Sequence, residues 1–125
     1  MENRIEIEEY ATQKMIHAYV SGTLTEPERI SLGKEIVVKF KDNNINKVIF
    51  DLREAELGYS LIGSHLAILS LSDLGMTKDD YGAVIYSHDK EQMEHAENVA
   101  HNHNIFNVRF FQNINEGIEW LASKG

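Results

Sequence analysis

The chain has 125 residues, 20 acidic against 12 basic side chains for a net charge of −8, and no cysteine. That length holds one domain with one core, so residues 1–125 are read as a single unit. The absence of thiols excludes disulfides, thiolate metal sites and thiol catalysis. An acidic surface without a Lys/Arg cluster repels nucleic acid phosphates and anionic lipid headgroups, so neither nucleic acid nor unspecific membrane association is expected.

No run approaches the roughly 18 apolar residues that span a bilayer, so membrane insertion is not expected. The opening residues Met1 to Glu6 carry neither the basic nor the apolar region of a signal peptide. A cytoplasmic protein without a cofactor is the expectation.

Residues 3–10 alternate, with Ile5 and Ile7 set against Glu6 and Glu8. Residues 14–21 repeat the pattern more weakly, with Ile16, Ala18 and Val20 on one face. Period-two patterning of this kind predicts a hairpin turning near Thr12 and Gln13. Thr25-Glu-Pro-Glu28 then reads as a capping box, in which Thr25 accepts from the Glu28 amide and the Glu28 carboxylate reaches back. The helix it opens places Ile30, Gly33, Val37 and Phe40 on one stripe and stops at Asp42 to Asn44.

Val48, Ile49 and Phe50 are apolar on consecutive residues, which predicts a strand covered on both faces and ending at Asp51. A short acidic loop follows, and a helix is predicted from about Ser60 to Leu74, ended by Gly75. Ala83 to Ile85 is a second doubly covered strand. Residues 90–103 form a polar helix with a stripe at Met93, Ala96, Val99 and Ala100. Val108 to Phe111 is the last strand, and Asn113-Ile-Asn-Glu116 caps a final helix with Ile114, Ile118 and Leu121 inward. The order is ββαβαβαβα: a five-stranded mixed sheet, antiparallel in its first hairpin and parallel afterwards, with four helices.

Asp51, Gly58, Tyr59 and Ser60 are the candidate partner or ligand site, because a strand-loop-helix junction exposes amides and a helix N-terminus. Ser60 suits the cap of the following helix. A phosphate there would gain from the helix dipole, against the charges of Glu54 and Glu56 on the same loop. From Leu57 to Ser72 no side chain is charged apart from His65. Ile62, Leu66 and Leu69 form one stripe of this helix, and Leu61, Ile68 and Leu71 a second. A helix apolar on two sides must bury both. Leu61, Ile68 and Leu71 are therefore the candidate apolar interface, for a homodimer or for the wall of a small apolar-ligand pocket.

This order, with particular residues, resembles the SpoIIAA-like family, the STAS fold and its STAS/SEC14-type relatives. Val20-Ser-Gly-Thr-Leu-Thr25 is similar to that family's strand-to-helix turn, and Val48-Ile-Phe-Asp-Leu52 to its central strand. Val108 to Phe111 followed by Glu116-Gly-Ile-Glu-Trp-Leu121 is similar to its closing strand and helix. The resemblance implies a non-enzymatic protein-interaction or regulatory module in bacterial signalling; its SEC14-type label implies a carrier of a small apolar ligand or lipid. It also places Ser60 where anti-sigma-factor antagonists carry a phosphorylated serine. Tyr59, Leu61 and Ile62 replace the other residues of that signature, with Gly63 one place late, which argues against a kinase-driven switch.

Enzyme signatures are missing. No P-loop, nucleophile elbow or glycine-rich dinucleotide turn occurs. Asp51 at a strand end raises a response-regulator receiver, but the acidic pair and lysine such a site needs for Mg²⁺ chemistry do not follow the other strands. His95, His101 and His103 on one helix lack the spacing of a metal site and read as solvated.

Overall fold

The computed structural model describes residues 2–10, 12–58, 75–103 and 107–124. Five strands form one sheet in chain order. β1 (Glu2–Tyr10) and β2 (Gln13–Leu24) pair antiparallel from Glu2 opposite Ser21 to Tyr10 opposite Gln13. The turn between them passes through Thr12 at φ 67. β3 (Lys47–Leu57), β4 (Tyr81–Ile85) and β5 (Asn107–Phe111) add parallel to β2 in turn. Three helices lie among the described residues rather than the four expected: α1 (Glu26–Asn43), α2 (Lys90–His103) and α3 (Ile114–Ala122). The helix expected over 60–74 falls outside the described residues, and with it Ser60 and both of its apolar stripes.

Alternation along the strands divides the core into two layers. Ile16, Ala18, Val20, Val48 and Val84 point to one face, where they meet Leu32, Ile36, Val37 and Phe40 of α1 and Met93 of α2. Met15, Ile49, Ala83 and Ile85 point to the other, under Leu121 of α3. β3 and β4 are thus buried on both sides, which is why their apolar residues run consecutively. The inward stripe of α1 is wider than the sequence suggested: Leu32 and Ile36 are buried, whereas Ile30 is only half-buried.

Gly117 lets α3 lie close on the sheet. A Cβ there would stand 2.6 Å from Ile85 Cδ1 and 3.4 Å from the Ala83 Cβ.

The helix ends follow local chemistry, with one exception. Asn113 accepts from the amides of Asn115 at 2.8 Å and Glu116 at 3.3 Å, so it caps α3 as its sequence predicts. α1 ends on Asn44 in the left-handed conformation. At its start, however, Thr25 makes no side-chain cap bond to the backbone. Its hydroxyl instead donates to Glu28 Oε1 at 2.6 Å. That bond, with one from the Thr25 amide, holds the Glu28 carboxyl below its ordinary range.

β3 does not end at Asp51. Its pairing with β4 stops there, at Asp51 opposite Ile85, but its pairing with β2 continues to Leu57 opposite Leu24. The register slips between Tyr19 and Ser21, a bulge that gives β3 one extra residue. Leu52 and Ala55, three apart, consequently both reach the α1 layer. Past Ile85 two polar side chains tie down the exposed edge of this tail. The Ser87 hydroxyl donates to the Arg53 carbonyl at 2.7 Å, and the Leu57 amide donates to Asp89 Oδ2 at 3.2 Å. The stretch read as an acidic loop is a strand, held by β2 on one side and by side chains on the other.

The Val20-to-Thr25 segment is likewise strand up to Leu24, with Gly22 at φ 82 absorbing the irregularity.

Candidate functional site

On the α3 side of the sheet, the surface changes character between β3 and β1. The even-numbered residues of β1 and the odd-numbered residues of β2 share this face through their pairing, Glu8 with Met15, Glu6 with His17 and Arg4 with Tyr19. Tyr19 in turn lies opposite Asp51. Three strands therefore bring Glu8, His17 and Asp51 side by side, beyond the apolar patch that α3 covers.

His17 is the hub, with 2% of its surface exposed. Its Nε2 stands 3.0 Å from Asp51 Oδ2 and its Nδ1 3.1 Å from Glu8 Oε2. A carboxylate can only accept, so both contacts are hydrogen bonds when both ring nitrogens carry protons. The geometry is that of a histidine ring clasped between two carboxylates. The ring stacks on Tyr19 with centroids 3.7 Å apart, and the Arg4 guanidinium covers the other face of Tyr19 at 4.2 Å.

Each carboxylate has further partners. Arg53 grips Asp51 with both arms of its fork, Nε to Oδ1 at 2.8 Å and Nη2 to Oδ2 at 2.7 Å. Burial alone would raise the Asp51 carboxyl; Arg53 and His17 outweigh it and hold the group well below the usual carboxylate range. Glu8 accepts from the hydroxyls of Tyr10 and Tyr19 as well as facing His17. These bonds overcome burial and keep it ionised below its ordinary range. Burial and the Glu8 charge push Tyr19 up to about 12, and Tyr10 moves in the same direction for the same causes.

At the solvent side of this cluster lies a groove of about 700 Å³, whose lining includes Arg4, Tyr19, Ser21, Asp51, Arg53 and Glu54. Most of the residues that line it are charged or polar, with Val20 and the Tyr19 ring among them. Asp51, 6% exposed, meets the groove with both oxygens already engaged by its own chain. It is therefore unsuited to act as a free base, nucleophile or cation ligand. Among the described residues no three His, Asp or Glu side chains converge as metal ligands would.

Of the residues singled out in the sequence, Asp51 lies at the heart of this cluster and Gly58 lies apart from it, just past the end of β3. Gly58 has a packing reason to be glycine. Its amide donates to the Leu24 carbonyl at 2.8 Å, and a Cβ would come within 2.8 Å of Thr23 Cγ2 and 3.0 Å of the Leu24 oxygen. Tyr59, Ser60, Leu61, Ile68 and Leu71 lie outside the described residues. His95 is half-buried on α2 and His101 is exposed.

No protein-family model matches the sequence, and no curated protein does. Solved structures do match. An uncharacterized protein of the DUF3478 family with a SpoIIAA-like fold, from Shewanella loihica PV-4, superposes with a TM-score of 0.63 over 95% of this chain and 93% of that one, at 21% identity. The fold is SpoIIAA-like. The anti-sigma factor antagonist SpoIIAA in its unphosphorylated form also superposes, with a TM-score of 0.55 over 95% of this chain and 98% of the other, at 8% identity. Within this SpoIIAA-like frame the sequence had pointed to Asp51 but not to its partners. His17 and Tyr19 occupy the face of β2 opposite Ile16, Ala18 and Val20. The available signal was that this second face pairs a histidine and a tyrosine with the glutamates of β1. Among the described residues, no helix is long and apolar enough to cross a membrane.

Proposed function

We propose that this chain is a non-enzymatic, STAS-like regulatory module that works by binding a protein partner. The observation that carries the reading is the closed bookkeeping of the charged face: Glu8 and Asp51 are both consumed by His17, Arg53 and two tyrosines. Such a cluster holds a surface in shape and leaves no acid or base free for turnover. The SpoIIAA-like fold supports it, since one structure of that fold is an anti-sigma factor antagonist. The contact surface we assign is the groove beside Asp51 and Arg53; Gly58, Tyr59 and Ser60 are proposed as a partner contact on the sequence alone. A cytoplasmic location fits this role.

The rival role is carriage of a small apolar ligand or lipid; against it, five of the residues that line the groove, Glu2, Arg4, Asp51, Arg53 and Glu54, are charged. Leu61, Ile68 and Leu71 remain the proposed apolar contact, for a second copy or for that ligand. Native mass spectrometry of protein purified gently from its own cells tests the choice. The expected result is a complex of fixed stoichiometry with a second protein, lost on Glu54→Lys in the groove wall. A lipid-sized adduct on the isolated chain would replace the interaction reading with the carrier.

A further inference from the structure

The outer edge of β1 is the longest open strand edge among the described residues. It runs nine residues, Glu2 to Tyr10, against five for β5 at the other side of the sheet. Its register with β2 is continuous, so no bulge twists the edge away. It contains no proline and no lysine. Short length, bulges, proline and charged side chains are the usual protections of an open edge, and of these β1 has only the last, four glutamates and one arginine. The outward amides and carbonyls of such a strand form a ready template for another strand.

The side chains of β1 specify what that strand would be. Glu2, Glu6 and Glu8 stand on the charged face with Arg4, while Ile5 and Ile7 stand on the opposite face, in the row that continues to Ile16 and Val48. Ile7 is 42% exposed, one of two large apolar side chains left open among the described residues. A strand added at this edge would therefore set basic residues beside the glutamates and apolar ones beside Ile5 and Ile7. A second copy of this chain fits poorly. With four glutamates and one arginine on each β1, two such edges repel.

We propose that β1 is a strand-addition site for an extended, amphipathic segment of a protein partner, basic on one face and apolar on the other. The inference rests on the interaction reading above and names the kind of segment bound. Acidity here acts as a filter, keeping copies of the chain apart while admitting a strand of opposite charge.

The probe is a nine-residue peptide alternating lysine and valine, matched in length to β1, beside its glutamate–valine counterpart. Fluorescence anisotropy should show the lysine peptide binding and the glutamate peptide not, with affinity falling as salt rises. Amide hydrogen exchange over residues 2–10 should slow on binding, because outward N–H groups become paired. The double variant Glu2→Lys, Glu6→Lys should bind the lysine peptide about tenfold more weakly and gain the glutamate peptide. That gain also establishes that the variant is folded. No binding by the wild type, equal binding of both peptides, or binding without slower exchange in β1 would overturn the proposal. A partner retained equally by the wild type and this double variant would also overturn it, while leaving the interaction reading intact.

Discussion

β3 carries a buried charge at each end of its apolar run, and the two ends are built differently. Lys47 is 4% exposed and Asp51 6% exposed, and both face the α3 side of the sheet. Asp51 receives the fork of Arg53 and the ring of His17. The Lys47 ammonium donates to the side-chain carbonyl of Gln13, whose own amide reaches the Ala122 carbonyl at the end of α3 at 2.8 Å. One charge sits in a network of opposite charges; the other rests on a neutral amide near the negative pole of a helix. Burial accordingly pulls the Lys47 ammonium below its ordinary range, whereas the partners of Asp51 override burial. A buried charge is stabilised by the groups that answer it, and equal burial at the two ends does not mean equal importance.

The sharpest way to break this comparison is to remove the answered charge. Asp51→Ala leaves His17 buried between one carboxylate and a void and releases Arg53. It should cost about 3–5 kcal/mol in denaturant unfolding. A loss under about 1 kcal/mol would mean the network is ornamental.

Acid titration should act on the same end. Asp51 and Glu8 are depressed in the folded chain, so the stability they supply is present above their unfolded values near 3.8 and 4.5 and is lost as pH falls through their folded values. Unfolding midpoints should therefore fall steeply below about pH 4. Asp51→Asn should flatten that fall. An unchanged pH profile in the variant would place the acid sensitivity elsewhere.

The smallest effect belongs to the other end. Lys47→Met keeps the length of the chain and removes a desolvated charge, so it should change stability by about 1 kcal/mol or less, in the stabilising direction. A loss comparable to that of Asp51→Ala would erase the contrast between the two ends.

The central strand was legible because Val48, Ile49 and Phe50 obey a rule that the sequence carries locally: two covered faces require consecutive apolar residues. Its true end was not. Arg53, Glu54 and Glu56 have loop composition, and only pairing with β2 beyond a bulge, plus the side chains of Ser87 and Asp89, keeps them extended. Ala55 and Leu57 were the faint sign of it. The candidate site was half legible for a related reason. Asp51 announces itself at the end of an apolar run, but its answer comes from His17, 34 residues earlier, and that residue's second partner, Glu8, is nine residues earlier again. Alternation told which face His17 would take; nothing in a single sequence told that β2 would lie between β1 and β3. Thr25 is a smaller case. The residues of a capping box were present, yet the hydroxyl bonded the glutamate rather than the backbone.

The sheet order has a consequence for how the chain is made. Each strand lies beside the one that precedes it in sequence, so during synthesis every new strand emerges to find its neighbour already in existence. β1, β2 and β3 are all synthesised before β4, so Asp51 and His17 are both in the chain before that strand is made. The apolar layer on that side must wait for Leu121, which follows all five strands in the chain. The residues of the ionic half of this face are thus made early and the cover of its apolar half late, so Met15 and Ile49 lack that cover until Leu121 has been added.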